Sequence, residues 1–400
     1  MSRNNQQVAF YLMRRLITLI VILISLNHIS QSQIGDKGVP IIQNFTYEHY
    51  QAGAKNWDVL QDKEGNMLFG NNYGLLEYNG KDWSLIVQPD NKTIVRSLHK
   101  SKNDIIYVGA QNDLGYIRTN NTGEKRFVSL KMKIDSQYKE FGDVWDIQET
   151  TRGIYFQTHD GMYCYVNDTI TYVKLPMIKK ISQLGDSILV QDNEYNLLSI
   201  SENGSRKIID GKRIQRQLIK ALDDHHGGMI LLVQDKGVFL YKNGELTHQK
   251  KAVNQFFERN KIASLHRFRN NYLALGSAGG GILFLDSDLE PIQLINKSNG
   301  LQSNFISSMG TDKIGNLWVT SENGIDYIQI ATPLYQISDD YNLEGTVSKV
   351  VLHKEHLYVA NNTGLYYSPW KEKENPLDPT LDFKKVENIS SQVWTLTTVK

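Results

Sequence analysis

The stretch richest in potential metal ligands is Asp223-Asp224-His225-His226-Gly227-Gly228, because carboxylate and imidazole are what Zn or Mn would take. Neighbouring residues of an extended segment point to opposite sides, so the two histidines are badly placed to share one ion. Asp224 and Gly227 instead align with turn positions of a repeat. Ser277-Ala278-Gly279-Gly280-Gly281 has the glycine content of a phosphate cradle. Such a cradle needs a helix N-terminus after it, and Ile282-Leu283-Phe284-Leu285 reads as a strand. His159-Asp160-Gly161 falls at a hairpin, and Cys164, between Tyr163 and Tyr165, reads as a packed strand residue. No nucleophile-base set assembles from spacing, so no catalytic residue, metal site or cofactor is expected. The remaining candidates are Trp57, Arg96 and Trp145, which occupy similar early positions on three predicted strands. Indole and guanidinium groups there could stack on and hydrogen-bond a ligand such as a sugar. The competing reading gives the rings a packing role and Arg96 a carboxylate partner.

These residues are positioned by a repeat. Its clearest copy runs from Ile306 through Asp312, Gly315, Trp318, Asn323 and Gly324 to Tyr327. A strand leads to an Asp-x-x-Gly turn, where Asp bonds the backbone ahead and Gly takes positive φ. A second strand ends at Asn-Gly, a hairpin signal, and a third follows. Trp57 through Asp62, Gly65 and Gly74 to Tyr78 repeats it, and further copies begin near Val95, Val144, Ile178, Ile219, Ile262, Val347 and Val393. The mean spacing is about 42 residues, in the range of four-stranded propeller blades. Helical periodicity is confined to Lys251 to Asn260. The fold class is therefore all-β: a seven-bladed β-propeller at 38–337, closed by an outer strand near Ile41 to Tyr47, followed by the first blade or blades of a second, truncated propeller at 338–400. One eight-bladed ring is the alternative. Val393-Trp394-Thr395-Leu396 reads as the inner strand of a further blade, which makes the chain the N-terminal portion of a longer protein.

The segment 1–32 reads as a signal peptide. Arg3, Arg14 and Arg15 precede the apolar run from Leu16 to Leu26, about 16 Å of helix and about half a bilayer core, with cleavage near Ser32-Gln33. An uncleaved anchor using Phe10, Tyr11 and Leu12 is the alternative; either way the rest is exported. With 44 Lys+Arg against 43 Asp+Glu, a net charge of +1 offers no pull toward nucleic acid. One cysteine excludes an internal disulfide framework.

The lead Asn299-Gly300-Leu301-Gln302-Ser303-Asn304 into the 306–324 copy resembles the blade repeat of the two-component regulator propeller family. The stretch from Pro40 to Trp83 is similar to the first blade of its exported sensors. This resemblance implies an extracytoplasmic sensor on the periplasmic side of a bacterial inner membrane, commonly of two seven-bladed discs. A triple-tyrosine β-sandwich, a transmembrane helix and an output module, a histidine kinase or a helix-turn-helix, would follow, in a homodimer. The partner expected for this segment is a small-molecule or glycan ligand. Two other classes compete: a secreted propeller lyase or lactonase, which needs a convergent His/Glu/Asp set at the axis, and a propeller scaffold or adhesion protein.

Overall fold

Apart from the one near Val393, each copy of the repeat folds into an antiparallel sheet, and in all but one of these sheets the strands are hydrogen-bonded in chain order. The computed structural model describes residues 38–86, 93–175, 177–201, 204–337, 341–370 and 381–398. The expected signal segment lies outside them, and no helix among the described residues is long and apolar enough to cross a membrane. The first sheet comprises Asn56–Gln61, Met67–Asn71, Gly74–Tyr78 and Trp83–Ile86. Five more begin at the strands Val95–Lys100, Asp146–Thr150, Ile178–Leu184, Leu218–Asp223 and Ile262–Arg267. The seventh takes Ile306–Thr311, Leu317–Ser321 and Ile325–Ile328, and its outer strand is Ile42–Phe45, from the other end of the chain. The protein is thus all-β, built of four-stranded antiparallel sheets in a propeller arrangement.

The turns form as their residues dictate. The Oδ1 of Asp62 accepts from the N–H of Gly65 at 2.8 Å and of Asn66 at 2.7 Å, and Asp312 does the same for Gly315 and Asn316 at 2.8 and 2.9 Å. Asp224 accepts from His226 and Gly228, so the Asp-His stretch is a turn, with Gly227 at φ 83°. At the hairpins Gly74 and Gly324 hold φ of 141° and 152°. The copy at Ile178 shifts this device: its first hairpin turns at Gly185-Asp186, and Asp192 makes the side-chain turn one connection later.

Neighbouring sheets pack face to face through their first strands, and the seventh packs on the first, which completes a circle of contacts. Close approach explains the small residue on several second strands: a Cβ on Gly109 would lie 2.5 Å from Val144 Cγ1 of the next sheet. Apolar clusters fill the spaces between sheets, for example Tyr107, Leu114, Val144, Ile147, Phe156 and Tyr163 between the second and third. The helix predicted near Lys251 forms at Asn254–Arg259 and buries Phe256 and Phe257.

An eighth sheet, Val347–His353, His356–Asn361, Gly364–Pro369 and Lys384–Lys385, has its own core of Tyr341, Leu343, Leu357, Val359, Tyr366, Leu381 and Phe383. One expectation fails here. Val393-Trp394-Thr395-Leu396 forms no strand; Val393 donates one bond to Asn361 and Trp394 is exposed. A strand needs a ladder partner, and no described residue supplies one.

Candidate functional site: the axial channel

The first strand of each sheet in the circle borders the axis, and in six of the seven its second residue is set apart by a bulge. Register shifts lie between Asn56 and Asp58, Val95 and Ser97, Ile178 and Lys180, Leu218 and Lys220, Ile262 and Ser264, and Ile306 and Ser308. In the third sheet Trp145 precedes the ladder and donates to the Gln157 carbonyl at 2.9 Å. A bulged residue is freed from pairing and its side chain re-aimed. The seven residues so placed, Trp57, Arg96, Trp145, Lys179, Ile219, Ala263 and Ser307, all line one axial channel of about 760 Å³. The next residue on each strand, Asp58, Ser97, Asp146, Lys180, Lys220, Ser264 and Ser308, lines it too.

Trp57, Arg96 and Trp145 come together as one stack. The Arg96 guanidinium lies 3.8 Å from the Trp57 ring centre and 4.9 Å from that of Trp145, and the two indoles meet edge to face at 6.4 Å. Asp143 fixes the guanidinium through Nε at 3.1 Å and Nη2 at 3.3 Å. Nη1 is buried without a hydrogen-bond partner, held against the rings. These contacts are those of the packing reading, with a carboxylate partner for Arg96. Trp57 is occupied further: its Nε1 donates to Asn72 at 2.8 Å, and the Lys55 ammonium sits 3.9 Å from its ring. Trp145, 48% exposed, is the ring a ligand can reach.

Of the other candidates, His159 lines the channel, with Nδ1 2.9 Å from Asp160 Oδ1, and the rest stay apart from it. Asp62, Gly65, Gly74, Asp224, Gly227, Asp312, Gly315, Asn323 and Gly324 serve turns, and Trp318 packs in the seam between the first and seventh sheets. What the sequence reading overlooked is the charge one residue past the mouth. Asp58 is tied to three sheets: Oδ2 accepts from the Leu98 N–H at 2.8 Å, and Oδ1 from the Val59 N–H at 2.9 Å and the Ser308 hydroxyl at 2.7 Å. Asp146 accepts from Lys180 Nζ at 3.0 Å and Gln148 at 2.7 Å. The signal was present in the chain, since each of these residues directly follows a position already singled out.

Burial pushes the Asp58 carboxyl up to about 6 despite its three donors. Burial likewise pulls His266, which meets the Thr311 hydroxyl at 3.2 Å, down to about 4. Burial would also raise Asp146, but Lys180 and Lys220 outweigh it and hold its carboxyl low. The first two oppose each other in pH. A folded chain holding a proton on Asp58 that the unfolded chain has lost becomes less stable as pH rises from about 4 to 6. A folded chain holding His266 neutral becomes more stable as pH rises from about 4 to 6.5. Measured by urea unfolding across this window, Asp58→Asn is expected to gain stability relative to wild type as pH rises, and His266→Gln to lose it. Parallel curves for all three proteins would contradict both assignments.

Among described residues no group of three or more His, Cys, Asp or Glu side chains is placed to hold a metal. No protein-family profile matches the chain, and no curated protein does. Solved structures do match. The extracellular domain of the hybrid two-component system BT3049 from B. thetaiotaomicron is similar at 16% identity and a TM-score of 0.62, over 82% of this chain and 48% of that one. The extracellular domain of BT4673 from the same organism is similar at 18% and 0.57, over 86% and 47%. The chain thus spans about half the length of these two. A streptogramin B lyase is similar at 15% and 0.53, over 72% of this chain and 97% of the lyase. At such identities these likenesses establish the propeller fold.

Proposed function

We propose that the chain is the extracytoplasmic ligand-sensing propeller region of a transmembrane signal-transduction or transcription regulator, itself non-catalytic. In this reading residues 38–337 are one complete seven-bladed propeller and 338–400 open a second. The unbroken circle of seven sheets supports it, with the first and seventh in direct contact and the eighth outside. The likeness to extracellular domains of hybrid two-component systems supports sensing and export to the periplasmic side of a bacterial inner membrane. The output module, membrane helix and homodimer belong to the whole protein and are part of the proposal.

The observation that carries it is the Trp57–Arg96–Trp145 stack at the mouth of the axial channel. Its geometry offers a flat apolar face beside fixed cationic groups, which suits a small-molecule or glycan ligand. Binding signals only where the ligand prefers one of two states of the regulator. A propeller lyase or lactonase would need a free acid or imidazole at the axis. Asp58 has both oxygens occupied, Asp146 is bonded to Lys180, and the lining imidazoles His99, His159 and His266 meet Glu149, Asp160 and Thr311. The test is a thermal-shift screen of the purified protein against oligosaccharides and small metabolites, since binding to the folded state alone raises its apparent stability. At least one compound is expected to raise the midpoint, and Trp145→Ala is expected to weaken its affinity about tenfold, as loss of one stacking contact does. An unchanged affinity in Trp145→Ala would remove the mouth as the site.

A further inference from the structure

The channel walls differ in size and charge. At the mouth the first four sheets present Trp57, Arg96, Trp145 and Lys179, and the last three only Ile219, Ala263 and Ser307. Open space therefore lies across from the exposed indole. Four cationic side chains, Arg96, Lys179, Lys180 and Lys220, line the channel against two acidic ones, Asp58 and Asp146. Three of the cations have company: Arg96 is held by Asp143, Lys180 by Asp146, and the Lys179 ammonium lies 5.0 Å from the Tyr195 ring. Among the described residues Lys220 has no hydrogen bond or ion pair, only the longer-range attraction of Asp146.

A mostly buried ammonium without a partner is costly, and it would be better lost unless something pairs with it. Burial lowers its proton affinity, with Lys180 and Arg267 adding to that and Asp146 opposing. The groups that face it are Asp146, Lys180 and Arg267; Asp146 is already bonded to Lys180 and Gln148. Lys220 is therefore a lining amine that Asp146 attracts but that no carboxylate bonds.

We infer that the ligand of this channel is an acidic saccharide, whose ring lies on Trp145 and whose carboxylate is received by the Lys220 ammonium. The inference rests on the ligand-binding reading above and adds a class to it. A carboxylate there gains a charge-assisted bond and relieves the unpaired cation at once. Lys220 is thus a binding residue retained at a cost to folding.

Three uronate trisaccharides, of galacturonate, mannuronate and guluronate, are to be titrated calorimetrically into the protein, each beside its fully methyl-esterified form. Neutral cello- and galacto-trisaccharides and a sulfated galactan trisaccharide complete the panel. At least one acid is expected to bind tenfold or more tightly than its ester. Lys220→Met should abolish most of that preference, Lys220→Arg should keep it, and Trp145→Ala should weaken acid and ester alike. Lys220→Met should also melt no lower than wild type, which shows that it folds. Esters binding as well as acids, or a preference that survives Lys220→Met, overturns the inference. So does Lys220-dependent binding of the sulfated sugar alone. If only neutral sugars bind, the channel remains a ligand site and the acid subsite falls; if no saccharide binds, both fall.

Discussion

Trp318→Ala is expected to cost about 3–5 kcal/mol of folding free energy, the range for emptying a large buried aromatic site. Trp318 is 5% exposed and stands where the ring closes. Its ring stacks on Phe45 of the N-terminal strand at 5.8 Å, meets Phe69 of the first sheet at 5.7 Å, and contacts Tyr327 of its own sheet at 4.6 Å. One side chain thus joins both ends of the circle. Asp326 adds to the seam, accepting from Asn44 at 2.6 Å and Gln302 at 2.9 Å. The loss is to be read from urea unfolding. A cost under about 1 kcal/mol would mean that closure does not depend on this cluster.

Lys125→Met is expected to be of similar size, for an electrostatic reason. Lys125, on the fourth strand of the second sheet, reaches into the first. Its ammonium lies 2.7 Å from Asp62 Oδ2 and bonds Glu77, and the three side chains are 6, 2 and 15% exposed. Burial alone would lower the lysine's proton affinity, yet its bonds to Asp62 and Glu77 reverse this and raise it. Removing one member of a buried ionic group leaves the others charged and unpaired, which costs about 3–5 kcal/mol. Adding Asp62→Asn and Glu77→Gln to Lys125→Met should recover part of the loss, because those charges are then gone. Asn retains the acceptor that the turn at Gly65 needs. A triple variant less stable than Lys125→Met would contradict the account.

The parts of the fold legible in the sequence were those that local chemistry sets. Asp62 and Asp312 announce turns because a short carboxylate followed by glycine three residues on readily bonds the backbone just ahead of it. Gly74 and Gly324 announce hairpins because little else tolerates their φ. The outer strand near Ile42 was legible because the repeat beginning at Ile306 lacks a fourth strand of its own. Long-range electrostatics were not legible. Nothing local to Lys125 points to Asp62, and nothing local to Lys220 tells that Asp146 is already taken by Lys180. At the site, Trp57, Arg96 and Trp145 were found by their shared register. Asp58 was not legible because a strand's alternation says which face a residue takes, and not that a bulge turns two successive residues toward one channel; Asp146 was not because its strand starts only after Trp145.

The most direct test of the axial site is hydroxyl-radical footprinting with a ligand from the thermal-shift screen. Trp145 and Trp394 are both exposed, at 48% and 73%, so both report solvent access. At saturation Trp145 is expected to lose most of its oxidation while Trp394 keeps its own. Equal oxidation of Trp145 with and without ligand would contradict a binding site at the mouth of the channel.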